Sequence, residues 1–192
     1  MYSDEIAAFV PQTEAEEADK AQILDYIRRF PHNILTRENT IAHMTASGFV
    51  LSGDGKWVLM ARHNIYRVWA WTGGHADGDS DLLSVALREA GEETGAAHIR
   101  PLSEKIASVE ILPVWGHVKR GRYVCAHQHL NVSYLLTADR DSPLTVRPGE
   151  NTEVAWLPAD KLLELTREWQ MDEVYIKLLN RGRALLKAEI PG

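Results

Sequence analysis

At 192 residues the chain has room for one substantial core, alone or with a small appendage. Its 45% apolar and 25% charged residues exclude a disordered chain, and a formal charge of -6 argues against a broad nucleic-acid-binding surface, which needs clustered Lys and Arg. The single cysteine, Cys125, excludes an intramolecular disulfide; with acids in the first residues and no apolar run near the roughly 18 that span a bilayer, a cytoplasmic protein with no membrane partner is expected.

Residues 14 to 30 carry an amphipathic helical pattern, with Ala21, Leu24 and Ile27 on its stripe and Ile23 and Phe30 as candidates to extend it, Thr13 placed to cap it and Pro31 to end it. It precedes the first strand and is read as an added element: a lid, a packing helix or the contact of a homodimer. Ile41 to Leu51 is strand-like, and Ser52-Gly53-Asp54-Gly55 turns it into a second strand at Trp57 to Ala61. A short strand, Val68 to Thr72, leads to a glycine turn at Gly73-Gly74 and then to a helix over about 80 to 94. Strands at Ile106 to Leu112 and Tyr123 to Thr137 follow, separated by a basic loop at 113 to 122; Cys125 is read as a small buried residue in the second. A turn-rich segment, a short strand at Glu153 to Trp156 and helices near 159 to 167 and 171 to 187 close the chain. The sum is an α/β (α+β) sandwich around a mixed sheet, with an N-terminal helical extension at 1–40 and one domain at 41–192 that includes the C-terminal helix.

The helix over 80 to 94 concentrates the chemistry. Glu89, Glu92 and Glu93 stand at i, i+3 and i+4, so their carboxylates gather on one side, along the flank of the apolar stripe rather than opposite it. Glu92 and Glu93 also sit in the last turn, where the helix dipole disfavours anions. Carboxylates placed together at such cost suit a hard cation, Mg²⁺ or Mn²⁺. Arg88, four residues before Glu92, can hold one of them, and Gly95 ends the helix.

Gly74, Arg88, Glu89, Ala90, Glu92, Glu93, Gly95 and Ala96 resemble the Nudix hydrolase signature, G-x5-E-x7-R-E-U-x-E-E-x-G-U with U aliphatic. The spacing matches from Gly74 to Ala96, except that Ser80 stands where the first glutamate is expected. The resemblance implies a Nudix-like α/β/α sandwich and metal-dependent hydrolysis of a diphosphate in a nucleoside diphosphate derivative or a similar small molecule. By resemblance, Glu89, Glu92, Glu93 and the carbonyl of Gly74 hold the metal, and one of the glutamates serves as base. Two other readings compete. An isopentenyl diphosphate isomerase shares the fold but relies on a cysteine absent from Trp69 to His75, and a non-catalytic nucleotide-binding module would not need the glutamates.

Residues for the substrate are sought around the helix. His127 and His129, at i and i+2 on a strand, share a face and suit substrate phosphate or a metal; His75 directly follows the glycines. Trp115, His117, Lys119, Arg120 and Arg122 join an aromatic to positive charge, which suits stacking a base and steering phosphate. Trp69 and Trp71 share a strand face and are read as packing residues.

Overall fold

The computed structural model describes residues 1–64, 67–119, 121–147, 149 and 151–189; Arg120, of the basic loop, and the side chain of Lys119 fall outside that set. At its centre is β1 (Ala42–Ser52), buried along its whole length. It runs parallel to β9 (His127–Ala138) and antiparallel to β2 (Trp57–His63) and β4 (Thr72–His75). The rest of the eight-stranded mixed sheet is β10 (Asn151–Pro158) and β3 (Trp69–Ala70) on β2, and β5 (Arg100–Pro101) and β6 (Ser108–Val114) on β9.

Strand alternation assigns the two faces of β1. Met44, Ala46 and Val50 belong to one apolar cluster with Leu82, Val85, Ala86 and Ala90 of α3 (Leu82–Thr94) and with Ile23 and Ile27 of α2 (Glu14–Arg29). Phe49 and Leu51 join the other cluster, with Tyr175, Leu178 and Leu179 of α5 (Asp172–Glu189). Helices cover both faces, which is why β1 reads as a nearly unbroken apolar run at its C-terminal end. Each fully buried Leu or Val of α3 contributes roughly 1.5–3 kcal/mol to this packing.

The ends of the helices follow their sequence signals. Thr13 caps α2 by accepting from the Glu16 N–H at 3.2 Å, and Asp81 caps α3 by accepting from the Ser84 N–H at 3.0 Å. Gly95 closes α3 in the left-handed region at φ 64, where a Cβ would lie 2.8 Å from the Cβ of Thr145.

Several expectations change. The added helix does pack, since Ile23 and Ile27 are buried with the sheet, but a further helix, α1 (Tyr2–Ala8), precedes it and buries Ile6. The glycine pair lies inside β4 instead of forming a turn. The turn comes later, at Asp77 and Gly78, both at positive φ. A Cβ on Gly73 would stand 2.6 Å from Ser47 Oγ, so close strand contact, rather than chain reversal, requires glycine there. The basic loop contains a hairpin of β7 (His117–Lys119) and β8 (Arg122–Val124), which interrupts the long strand expected from Tyr123. Cys125 falls between β8 and β9 and is exposed, its Sγ reaching the Thr40 carbonyl at 3.7 Å. The helix near 159 to 167 is a single 3-10 turn at Ala159–Lys161 followed by α4 (Leu162–Thr166). Trp69 and Trp71 are half-buried against the α5 cluster, with Trp71 edge-on to Tyr175.

Candidate active site and an adjoining histidine cluster

The last two turns of α3 lie against β4 because Ala86 and Ala90 are small enough to let the helix approach the sheet. Gly74 points from β4 toward this helix, and a Cβ there would stand 2.6 Å from Glu89 Oε1. Glu93, 9% exposed, accepts from the Gly73 N–H and from Asn151 Nδ2, each at 3.3 Å. Glu89 and Glu92 face more open space, with side chains 12% and 40% exposed.

Two arginines serve this pair. Arg88 Nη1 lies 2.7 Å from Glu89 Oε1 and 3.6 Å from Glu92 Oε2, so it holds Glu89 more closely than its expected partner. Arg147 reaches in from the segment after β9, 3.0 Å from Glu92 and 3.5 Å from Glu89. Partial burial works against the charge on Arg88, but the two carboxylates outweigh it and raise its pKa. The donor set fits a hard divalent cation. It offers carboxylate oxygens gathered on one helix flank, cations already drawn to them, and a strand backbone that has given up a side chain to admit them. Ser80, in the bend before α3, is exposed.

Across the sheet the pleat turns a second group together. His43 pairs in register with His129 of β9, and Thr45, two residues along the same face, pairs with His75 of β4. His127 precedes His129 by two residues and shares its face. One nitrogen from each of His43, His75, His127 and His129 lies within 4.8 Å of the others, and the ring centroids of His75 and His129 are 4.9 Å apart. Burial lowers the pKa of His43 and, reinforced by the neighbouring imidazoles, takes His129 down to about 2. The Nε2 atoms of both rings are buried and have no hydrogen-bond partner among the described residues, which costs roughly 1–3 kcal/mol each.

The same face continues as a polar strip whose hydrogen bonds are made. Asn131 Oδ1 accepts from Thr45 and Ser47 at 2.9 Å each, while its Nδ2 donates to Glu110 at 3.1 Å. Lys177 Nζ lies 3.0 Å from Glu110 and 3.1 Å from Glu16, and Arg181 grips both oxygens of Glu16 at 2.6 and 3.0 Å. Burial would raise the Glu16 pKa, but the hydrogen bonds from Arg181, Gln12 and Ser108 bring it to about 2.

The structure thus gathers Arg88, Glu89, Glu92 and Glu93 beside Gly74, and gathers His75, His127 and His129 on the opposite face of the sheet. Trp115, 74% exposed, and Arg122, also exposed, belong to the β7–β8 hairpin region beyond His127. His43, Arg147 and Asn151 were missed by sequence reasoning. Alternation in β1 puts His43 on the face of Thr45 and could have flagged it; Arg147 carries no periodic signal. A cleft of about 500 Å³ lined by Ser52, Asp54, His98, Arg100, Asp139 and Arg140 adjoins the far end of β1 and β9 and holds none of these groups.

A mixed sheet with a carboxylate-bearing helix laid against a glycine strand is an arrangement suited to holding a divalent cation for hydrolysis of a phosphorus acid anhydride. The NUDIX domain matches residues 42–178, and the chain belongs to that family; it is a Nudix-type pyrophosphohydrolase. Members of the family generally use divalent metals. Its fold is similar to that of a C. elegans Ap4A hydrolase in a binary complex, at 17% identity, TM-score 0.52, and 76% and 98% of the two chains covered. It is also similar to the NUDIX domain of Shewanella oneidensis NrtR complexed with ADP ribose, at 15% identity, TM-score 0.52, covering 80% and 97%. The E. coli dihydroneopterin triphosphate pyrophosphohydrolase matches at 14% identity, TM-score 0.52, covering 77% and 94%. No curated protein matches the chain. Among the described residues, no helix is long and apolar enough to cross a membrane.

Proposed function

We propose that this protein hydrolyses the diphosphate linkage of a nucleoside diphosphate derivative with Mg²⁺ or Mn²⁺ held by Glu89, Glu92, Glu93 and the carbonyl of Gly74. The observation that carries this reading is the packing of the three carboxylates against a strand that has glycine where a side chain would exclude Glu89. When bound, the metal neutralises the diphosphate and lowers the pKa of water in its shell. Glu93, fixed by the Gly73 N–H and Asn151, is the most rigid of the three. Glu89 sits between two guanidinium groups that orient it, which suits a base beside the attacked phosphorus. Arg147, with its side chain 36% exposed beside Glu92, is placed to exchange that carboxylate for the substrate phosphates. Trp115 and Arg122 are proposed to receive the rest of the substrate, the ring by stacking and the guanidinium by charge. The 1–40 segment is proposed to be an extension fastened to a domain spanning 41–192, in a protein of the reducing cytoplasm.

The test is a substrate panel of ADP-ribose, dinucleoside polyphosphates, nucleoside triphosphates and nucleotide sugars, each assayed with and without Mg²⁺ and Mn²⁺. Turnover that requires metal and is lost in Glu93→Gln supports the reading. No turnover across the panel, or turnover indifferent to that substitution, overturns it.

A further inference from the structure

We propose that His43, His75, His127 and His129 form a second metal site, closed and tetrahedral, for a transition-metal dication of the Zn²⁺ class. It is separate from the carboxylate site and lies on the other face of the sheet. It rests on the four imidazoles alone and stands or falls independently of the hydrolase reading.

The backbone brings the four rings together without distortion. His127 and His129 alternate on β9, His43 faces His129 in register across the parallel pair, and β4 supplies His75 one residue pair along. Their nitrogen atoms lie within 4.8 Å of one another. A tetrahedral ion with bonds of about 2.0–2.1 Å needs its ligand nitrogens about 3.3 Å apart, so separations of up to 4.8 Å close by at most about 1.5 Å through side-chain rotation.

The hydrogen bonds also choose the tautomer. His43 Nδ1 lies 2.9 Å from the Asn39 carbonyl, and His127 Nδ1 lies 2.9 Å from the Cys125 carbonyl. A carbonyl only accepts, so each Nδ1 carries the hydrogen and, in the neutral ring, leaves Nε2 with a free lone pair. This is the backing that orients histidine ligands in metal sites. The buried Nε2 atoms of His43 and His129 have no hydrogen-bond partner among the described residues, although Asn131 and Glu110, farther along the same face, are hydrogen-bonded. His43 is only 4% exposed, so water does not fill this need freely. Imidazole nitrogens favour Zn²⁺, Cu²⁺ and Ni²⁺ over Mg²⁺, which prefers oxygen. Four protein ligands leave no open position, which suits a structural ion that pins β4 to β1 and β9.

The experiment uses the full chain without a polyhistidine tag, stripped with a chelator. Zn²⁺ binding is followed by calorimetry and by metal content after desalting, and Co²⁺ replaces Zn²⁺ to read geometry from its visible spectrum. The expected result is one tightly held Zn²⁺ per chain, unaffected by excess Mg²⁺, a tetrahedral Co²⁺ spectrum and a raised Tm. His127→Asn and His75→Asn, both at half-buried positions, weaken binding about tenfold or more, whereas Glu92→Gln leaves it unchanged. An octahedral Co²⁺ spectrum in the wild-type protein, no retained Zn²⁺, binding that survives both histidine substitutions, or binding lost in Glu92→Gln overturns the proposal. The wild-type spectrum decides the matter even where a variant folds poorly.

Discussion

Of the places where carboxylates meet guanidinium groups, the pair at Glu16 and the pair at Glu89 and Glu92 differ in a way that separates a fastening from a site. Glu16 is 1% exposed, gripped through both oxygens by Arg181 and approached by Lys177. Glu89 and Glu92 meet Arg88 and Arg147 at contacts that stretch to 3.5 and 3.6 Å, and both arginines keep a third or more of their surface in solvent. Buried and doubly bonded, the first arrangement ties α2, β6 and α5 together. The second is open enough for another cation to take the arginines' place.

The largest expected effect lies at the open site. Glu93→Gln keeps shape but removes charge, and should lower kcat by about 10²–10³-fold, as expected for loss of a preorganised electrostatic group. Steady-state kinetics on whichever panel substrate is turned over reads this, with the unfolding midpoint nearly unchanged. The mirror-image result is expected at the fastening: Glu16→Ala should cost about 3–5 kcal/mol in urea unfolding, because it leaves Arg181 buried without its partner, while kcat per folded molecule stays the same. A loss of activity larger than the loss of folded protein would break the comparison.

Acid provides a further separation. The Glu16 pKa is about 2 in the folded protein against an ordinary 4.5. Its contribution to stability is therefore complete above pH 4.5 and drains away as pH falls from 4.5 toward 2. Unfolding followed across that window should show a slope that Glu16→Gln removes. Gly74→Ala should lower kcat about tenfold by displacing Glu89 from the strand. Smallest of all, Arg147→Gln should reduce the Mg²⁺ needed for half-maximal rate by about two- to fivefold, the worth of an exposed ion pair. A requirement that rises instead would mean Arg147 serves the substrate more than it competes with the metal.

How much of this could be read from the chain depended on distance along it. The acids of α3 and its left-handed cap at Gly95 are local features, fixed by 3.6-residue periodicity and by one backbone conformation, and both are found as expected. Gly73 and Gly74 read as a turn because glycine permits either a reversal or a close approach; only the presence of Ser47 and Glu89 beside them shows which applies. His43 stands 86 residues from its partner His129, and nothing in the local pattern gives the register of a parallel pair. Cys125 was expected in a strand that in fact stops and restarts around it, so its exposure depends on a hairpin that the sequence pattern did not mark.

Thr145 donates its N–H to the Thr94 carbonyl at 2.7 Å, and Asn151 donates to Glu93. Thr145 and Asn151 are therefore each anchored on the final turn of α3. An exchange at Arg147 alters what confronts Glu89 and Glu92 while the anchor at Asn151 keeps its hold on Glu93. Arg147 is thus a replaceable fitting on a fixed floor: its exchange changes the charge above the carboxylates without loosening the residues that seat them.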